Sequence, residues 1–329
     1  MDRKVTTLSE IPKWHYSMLN DTVRNTAFQT AIADRVTATD RVVDIGTGTG
    51  LLSILAARAG ARSVDAFEAH PDMAGVAART IAASGVADRI VLHRTMSINV
   101  SMLRDDRRDF LLTEIFDCAL IGEGILPALR HARAALLSDD YRSIPQAATL
   151  HGALLSAPRI RQLNEVSRAC GVDVSGLNHL QTKGHFPVRL ATRPHALVSD
   201  AQALLHLDML EEPPAQAGWN VAFTAEADAP VDGLVAWFDM DLGAGRHITT
   251  HPAAESHWMQ AFVPFPEPVA VRRGERVDVR LAVVDDVALT AVPDRAFTTD
   301  LRQLDTHRSL TLHQNDLVPT RPVLEASAS

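Results

Sequence analysis

No stretch constrains this chain more than Val42-Val43-Asp44-Ile45-Gly46-Thr47-Gly48-Thr49-Gly50-Leu51-Leu52-Ser53. An apolar run stops at three alternating glycines and resumes as a Leu/Ala-rich helical pattern over 51–59, which Gly60 ends with C-cap chemistry. A buried parallel strand opening into a helix reads this way. Glycines there permit positive φ and let a ligand approach the backbone. The helix N-terminus beyond offers unpaired N–H groups to a carboxylate or phosphate. The alternation continues downstream. Ser63–Glu68 reads as a strand, Pro71–Ser84 as a helix with Pro71 in its first turn, Ile90–His93 and Asp109–Glu114 as strands, and about 125–137 as a helix. This predicts βαβ units on a Rossmann-like parallel sheet, an α/β fold. Upstream, Trp14, Met18, Leu19, Val23, Phe28 and Ile32 recur at helical spacing and predict one helix over 14–33.

Near Ile144-Pro145 the hydrophobic period changes to two. Segments near 148–156, 200–209, 218–227, 232–241, 257–264, 276–284 and 307–313 read as strands of an all-β module, a barrel or sandwich. Residues 158–180 break that rhythm and read as a helical insertion, and Ala326–Ser329 as a frayed end. At roughly 150 residues per domain, 329 residues suit about two domains. The expected division is N-terminal helices over 1–35, a ligand-binding domain over 36–145 and a β-barrel domain over 146–329. Hydrophobic residues at 46% and charged ones at 22% exclude a largely disordered chain. A net charge of −8 without basic blocks argues against nucleic-acid backbone binding and tolerates a cationic substrate. The basic residues are nearly all arginine (Lys4, Lys13 and Lys183 are the lysines), a mark of GC-rich codons. Cys118 and Cys170 form no CxxC pattern, and His131, His151, His179, His185 and His195 have no ligand spacing, so no metal site is expected. No apolar leader and no membrane-length apolar run is read, so the expected location is the cytoplasm.

The loop spacing is GxGxG, distinct from the dinucleotide GxGxxG and from the P-loop. With Asp44 two residues ahead of Gly46 it fits the S-adenosylmethionine (SAM) version, with Asp44 facing the cofactor's amino acid end. Glu68, closing the second strand, is placed to accept hydrogen bonds from ribose hydroxyls. Glu114 closes the fourth strand, and Glu123 follows an apolar segment that Gly122 and Gly124 let return. Two acids converging on one point match a guanidinium, which is planar and binds carboxylates bidentately. Taken alone, two acids nine apart read more readily as a helix cap at Glu123 and a surface acid at Glu114. Asp117 reads as an exposed loop residue rather than a third pocket acid, and Cys118 as apolar filler rather than a nucleophile.

Four separated motifs resemble the protein arginine methyltransferase family. Val43–Ser53 joined to Thr113–Pro127 is similar to its cofactor loop and "double-E" loop, with Glu114 and Glu123 as the pair. Glu255-Ser256-His257-Trp258-Met259-Gln260 is similar to its Thr-His-Trp loop, with Ser in place of Thr, and His15–Asn25 to its cofactor-covering helix. The resemblance runs from about residue 14 to about 290, and the wording around Glu114–Asp117, Leu120–Pro127 and Trp237–Asp239 is closest to the monomethylating, type III-like branch. It implies SAM as cofactor, S-adenosylhomocysteine as product, and Glu114, Glu123 and His257 as catalytic residues. It further implies cofactor contacts at Met18, Arg24, Asp44, Gly46, Thr47, Gly48, Gly50, Leu51, Glu68, Met96, Ser97 and Glu114. Arg24 would pair with the cofactor carboxylate, Met18 would lie near the sulfonium, and Met96 and Ser97 by the adenine, where many members carry an acid at the position of Ser97. Glu114, Phe116, Glu123, His257 and Trp258 would hold the acceptor, with His257 supporting the double-E loop and the first helix. The insertion at about 158–180 corresponds to the family's dimerisation arm and implies a homodimer. The implied acceptor is arginine, free in a bacterial biosynthetic pathway or within a polypeptide. An inactive SAM-binding partner and a methyltransferase for another small molecule are the other readings.

Overall fold

The structure, a computed structural model, describes residues 11–213 and 218–294. Two helices open it, α1 (Trp14–Asn20) and α2 (Thr22–Arg35), where the spacing predicted one. Asp21 makes the break: it is extended, and its carboxylate accepts the Arg24 N–H to cap α2. The α/β half follows: β1 (Arg41–Ile45), α3 (Leu51–Ala59), β2 (Ser63–Phe67), α4 (Pro71–Ala82), β3 (Ile90–His93), β4 (Arg108–Thr113), α5 (Ile125–Ala135) and β5 (Leu137–Ile144). These strands form a parallel sheet in the order β3-β2-β1-β4-β5, with an order reversal beside β1. β5 was not legible as a strand, because its outer residues are polar and only Leu137, Tyr141, Ser143 and Ile144 are buried.

The remaining strands are β6 (Ala147–Ser156), β7 (Arg168–Ala169), β8 (Val172–Asp173), β9 (Phe186–Val188), β10 (Ala196–Leu197), β11 (Gln202–Asp208), β12 (Trp219–Thr224), β13 (Ala229–Gly243), β14 (Arg246–Thr249), β15 (Gln260–Val271), β16 (Arg276–Val284) and β17 (Ala288–Pro293). They do not close into the expected barrel. They form a seven-stranded antiparallel sheet centred on β6, β13 and β15, a three-stranded sheet β12-β16-β17, and the β7/β8 hairpin. The strand expected near 307–313 and the frayed end at 326–329 lie outside the described residues.

The insertion also departs from expectation. Only one helical turn, α6 (Pro158–Arg161), forms before the chain leaves helical geometry. Asn164 exchanges two hydrogen bonds with the Thr182 backbone (2.7 and 2.9 Å), and Asn178 exchanges two with Val166 (2.9 Å each). Side-chain amides that bond backbone compete with a helix ladder, and here they staple an irregular excursion around the hairpin. Leu163, Val172, Leu177 and Leu180 on it are exposed.

The two halves are joined by buried polar ties as well as by one continuous apolar core. Arg35 of α2 donates to the carbonyls of Ser143 (2.7 Å) and Leu242 (2.8 Å), reaching β5 and β13 at once. Trp258 Nε1 donates to the Phe116 carbonyl (2.9 Å), linking the segment before β15 to the segment after β4. No helix among the described residues is long and apolar enough to cross a membrane.

Candidate active site

Strand register brings the chemistry together. Ile45 of β1 lies beside Phe67 of β2 and Thr113 of β4, so Gly46, Glu68 and Glu114 emerge side by side from one sheet edge. Ligands of open α/β sheets bind at that carboxyl edge, at the order reversal. Gly46 has φ +78°, and a Cβ there would lie 2.3 Å from the Ile115 side chain, so the turn needs glycine twice over. The loop is tied down by Gly46 and Thr47 N–H groups on the Phe67 carbonyl and by Gly48 N–H on Glu68 Oε2 (2.9 Å). Glu68 Oε1 accepts the His70 N–H (2.7 Å), which leaves both carboxylate oxygens oriented at the edge of a cavity.

That cavity, about 400 Å³, lies between the sheet edge and the two N-terminal helices. Of the expected cofactor residues, Met18, Arg24, Gly46, Thr47, Gly48, Leu51, Glu68, Met96, Ser97 and Glu114 line it. Asp44 and Gly50 do not. Asp44 is fully buried and its Oδ2 accepts from Thr47 Oγ1 (2.7 Å) and Ser53 Oγ (2.6 Å). Through Oδ2 it props the glycine loop, while its Oδ1 has no hydrogen-bond partner among the described residues, and burial pushes its carboxyl up despite those two donors. Gly50, at φ +86°, starts α3. His15 and Leu19, from the expected cofactor-covering segment, and Trp14 just before it also line this cavity. Burial and the nearby His70 hold His15 at about 4, so its ring is neutral at neutral pH.

A second cavity of about 300 Å³ adjoins the first, and Trp14, Met18, Glu114 and Glu123 line both. Phe116, His257 and Trp258 line the second, as expected of acceptor residues; Asp117, expected to be exposed, and Cys118, read as apolar filler, also line it, as do Lys13 and Arg189, to which no site role was given. Glu114 is buried and ion-paired with Arg24, so Arg24, expected to meet the cofactor carboxylate, meets a glutamate here. Burial raises the Glu114 carboxyl, and Arg24 opposes the shift. Among the described residues nothing hydrogen-bonds Glu114 Oε1.

The expected division of labour at the Thr-His-Trp-like loop changes. His257 Nδ1 and its backbone N–H both meet Asp21 Oδ2 at 2.9 Å, which anchors the junction of α1 and α2. Burial first, then the positive charges of Arg24 and Arg189, holds His257 at about 4 against the pull of Asp21, so the neutral ring donates. The tie to the carboxylate loop runs instead through Trp258 and the Phe116 carbonyl.

Asp117 corrects a further expectation, because it is buried rather than exposed. Its Oδ1 accepts from Ala119 N–H (3.0 Å) and Gly122 N–H (2.9 Å), and its Oδ2 meets His185 Nε2 at 2.5 Å. His185 Nδ1 accepts the Leu289 N–H (3.0 Å), so the proton sits on Nε2 and points at Asp117. Burial opposes ionisation, but His185 and the two backbone donors outweigh it and hold the Asp117 carboxyl below the usual range. A Cβ on Gly122 would lie 2.2 Å from Asp117 Oδ2, so glycine is what allows this closure. Asp117 therefore buckles the loop that presents Glu114 and Glu123. Burial and Asp117 push the Cys118 thiol well up, which keeps it protonated and a poor nucleophile.

Comparison with known proteins gives five findings. The family described as the arginine methyltransferase oligomerization subdomain matches residues 146–291, and that of ribosomal protein L11 methyltransferase (PrmA) matches 26–122. An "Arginine N(omega)-methyltransferase" of Streptomyces achromogenes subsp. streptozoticus is 44% identical over 278 residues, 84% of this chain and 77% of that protein. "Protein arginine N-methyltransferase 7" of Oryza sativa subsp. indica is 31% identical over 263 residues; the match covers 71% of this chain but 36% of the longer plant protein. The Trypanosoma brucei PRMT1 enzyme–prozyme heterotetrameric complex with AdoHcy shares the fold, at a TM-score of 0.70 and 24% identity, covering 82% of this chain and 86% of that one.

Proposed function

The chain belongs to the arginine methyltransferase family, and on that premise we propose that it methylates an ω-nitrogen of free L-arginine with SAM, giving Nω-monomethylarginine and S-adenosylhomocysteine. The observation that carries this reading is the shared wall. Two cavities meet across Glu114, Glu123, Met18 and Trp14, so a cofactor in one and a guanidinium in the other would touch across two carboxylates.

The first cavity fits the cofactor on its own chemistry. It offers a glycine loop whose Gly48 has open space above it, a carboxylate at the ribose position in Glu68, and apolar walls in Met96 and Leu51. When bound, SAM supplies an electrophilic methyl on a sulfonium. Glu68 would accept the ribose hydroxyls, and Ser97 and Met96 would flank the adenine. Asp44 would act at one remove, by holding Thr47 and Ser53.

Glu114 and Glu123 would grip the acceptor guanidinium by its planar donors and draw its positive charge onto the nitrogens they hold. The remaining ω-nitrogen is then left facing the cofactor cavity with its lone pair least committed. Transfer releases one proton in net balance, and the carboxylates keep the group cationic without removing that proton beforehand. Acceleration comes from positioning and preorganised charge. His257 and Trp258 would act by fixing the helix junction and the loop.

We read residues 36–145 as the cofactor-binding domain, 1–35 as its cover and 146–329 as the acceptor domain. We assign the exposed apolar residues Leu163, Val172, Leu177 and Leu180 of the insertion to a homodimer contact. The test of the substrate is competition. Purified protein with SAM is given L-arginine and an Arg-Gly-rich peptide together, and both are weighed by mass spectrometry. A methyl on free arginine is the expected result. A methyl on the peptide alone would make the acceptor a polypeptide.

A further inference from the structure

We propose that Arg189 is the residue that selects a free amino acid, by binding the α-carboxylate of the arginine whose guanidinium Glu114 and Glu123 hold. The inference rests on the methyltransferase reading above and adds the other end of the substrate to it.

Placement carries the argument. β9 pairs with β15 in the register Val188 to Gln260, next to the His257–Trp258 loop. Side chains alternate along a strand. Val188 is buried in a separate apolar cluster, whereas its neighbours Pro187 and Arg189 both line the 300 Å³ cavity. The backbone just beyond is locked, because Leu190 N–H donates to Gln260 Oε1 (3.2 Å) and Gln260 Nε2 donates to the Thr250 carbonyl (3.1 Å). Arg189 is thus aimed into the acceptor cavity from a fixed base.

Charge and exposure agree. Glu114 is buried at the depth of the cavity, while Arg189 is exposed at its mouth. Among the described residues the Arg189 guanidinium makes no hydrogen bond and no ion pair. Its charge is nevertheless felt inside, since it helps to lower the pKa of His257. Acids at the depth and an uncommitted guanidinium at the mouth match a molecule that carries a guanidinium at one end and a carboxylate, beside its α-ammonium, at the other. Free arginine is such a molecule. An arginine within a peptide offers a neutral carbonyl there, and a charge-assisted bond is roughly twice as strong as a neutral one. At about 300 Å³ the cavity also sits at the small end of the range for ligand sites.

The experiment compares L-arginine with agmatine, which carries the same guanidinium and lacks the carboxylate. The wild-type protein is expected to favour L-arginine in kcat/KM. In Arg189→Ala that preference should fall by about 10- to 100-fold through KM, as expected for losing a hydrogen-bonded charge partner. Arg189→Lys should restore part of it. A purely structural role would change both acceptors equally. A preference that is unchanged in Arg189→Ala, or absent from the wild-type protein while both guanidines are methylated, overturns the inference and leaves the methyltransferase reading standing. If the wild-type protein methylates no guanidine at all, the underlying reading fails and the inference with it.

Discussion

Asp117→Asn is the perturbation whose consequences the structure fixes in most detail. Asp117 accepts from Ala119, Gly122 and His185, with Ala119 and His185 buried and Gly122 half-buried, around the loop between Glu114 and Glu123. His185 cannot reverse its proton, because its Nδ1 already accepts from Leu289. An asparagine would keep its oxygen for Ala119 and Gly122, but would turn an amide N–H toward the Nε2–H of His185. Losing a charge-assisted bond there costs about 1.5–3 kcal/mol, and weakening the other two to neutral bonds removes roughly another 1–2 kcal/mol. The loop also carries Leu120 at φ +71°, a left-handed conformation that costs about 1–2 kcal/mol and that these bonds help to hold. The expected loss is about 4 kcal/mol, which lowers Tm by about 8–16 °C in a domain of this size. Differential scanning calorimetry reads that shift. At a temperature where the variant stays folded, turnover should fall by about 100-fold, because Glu123 loses its fixed position. Cofactor affinity, read by isothermal titration, should hold, since Asp117 lies on the acceptor side. A Tm within about 2 °C of wild type with full turnover would refute the buckle.

Four further outcomes follow from the same geometry. Glu123→Gln should leave SAM binding intact and cut turnover by about 100- to 1,000-fold, the scale for removing one preorganised charge; calorimetry and a steady-state assay separate the two. Trp258→Phe removes the donor to the Phe116 carbonyl but keeps a ring against Phe238 (5.3 Å), so it should cost about 1–3 kcal/mol in thermal unfolding and lower kcat more than cofactor affinity. His15 and His257 are held at about 4, below their free value of about 6.5. The unfolded chain therefore binds more protons between those limits, so stability should be level above about pH 6.5 and fall as pH drops toward 4. The acid limb of kcat/KM should lie above the ordinary carboxylate range, because burial raises Glu114.

Local signals made the α/β half legible. β1, β2 and β4 were short apolar runs closed by glycine or an acid, and the register of the folded sheet places Gly46, Glu68 and Glu114 together. That Glu114, Glu123, His257 and Trp258 share one cavity was anticipated by the resemblance, since spacing alone left both glutamates open to a capping or surface role. What escaped notice depends on contacts between distant residues. Asp117 looks like a loop acid until His185, far along the chain, is brought beside it. Asp44 keeps the expected spacing, and the support it gives Thr47 and Ser53 through one oxygen is a local detail the motif does not spell out. The insertion has helical spacing at Ile160, Leu163 and Val166, but Asn164 and Asn178 bind backbone across the turn and end the helix after one turn. Arg189 carried no sequence signal at all. Only its place in extended backbone one residue past β9, opposite in facing to the buried Val188, singles it out.

The measurement that bears most directly on the account is the site of the transferred methyl. The protein is incubated with SAM and L-arginine, and the product is fragmented by tandem mass spectrometry, with Glu123→Gln run alongside. The account predicts one methyl on a terminal guanidino nitrogen, an equal amount of S-adenosylhomocysteine, and almost none of either from Glu123→Gln. A methyl on the α-amine or the carboxylate, or full product from Glu123→Gln, would contradict it.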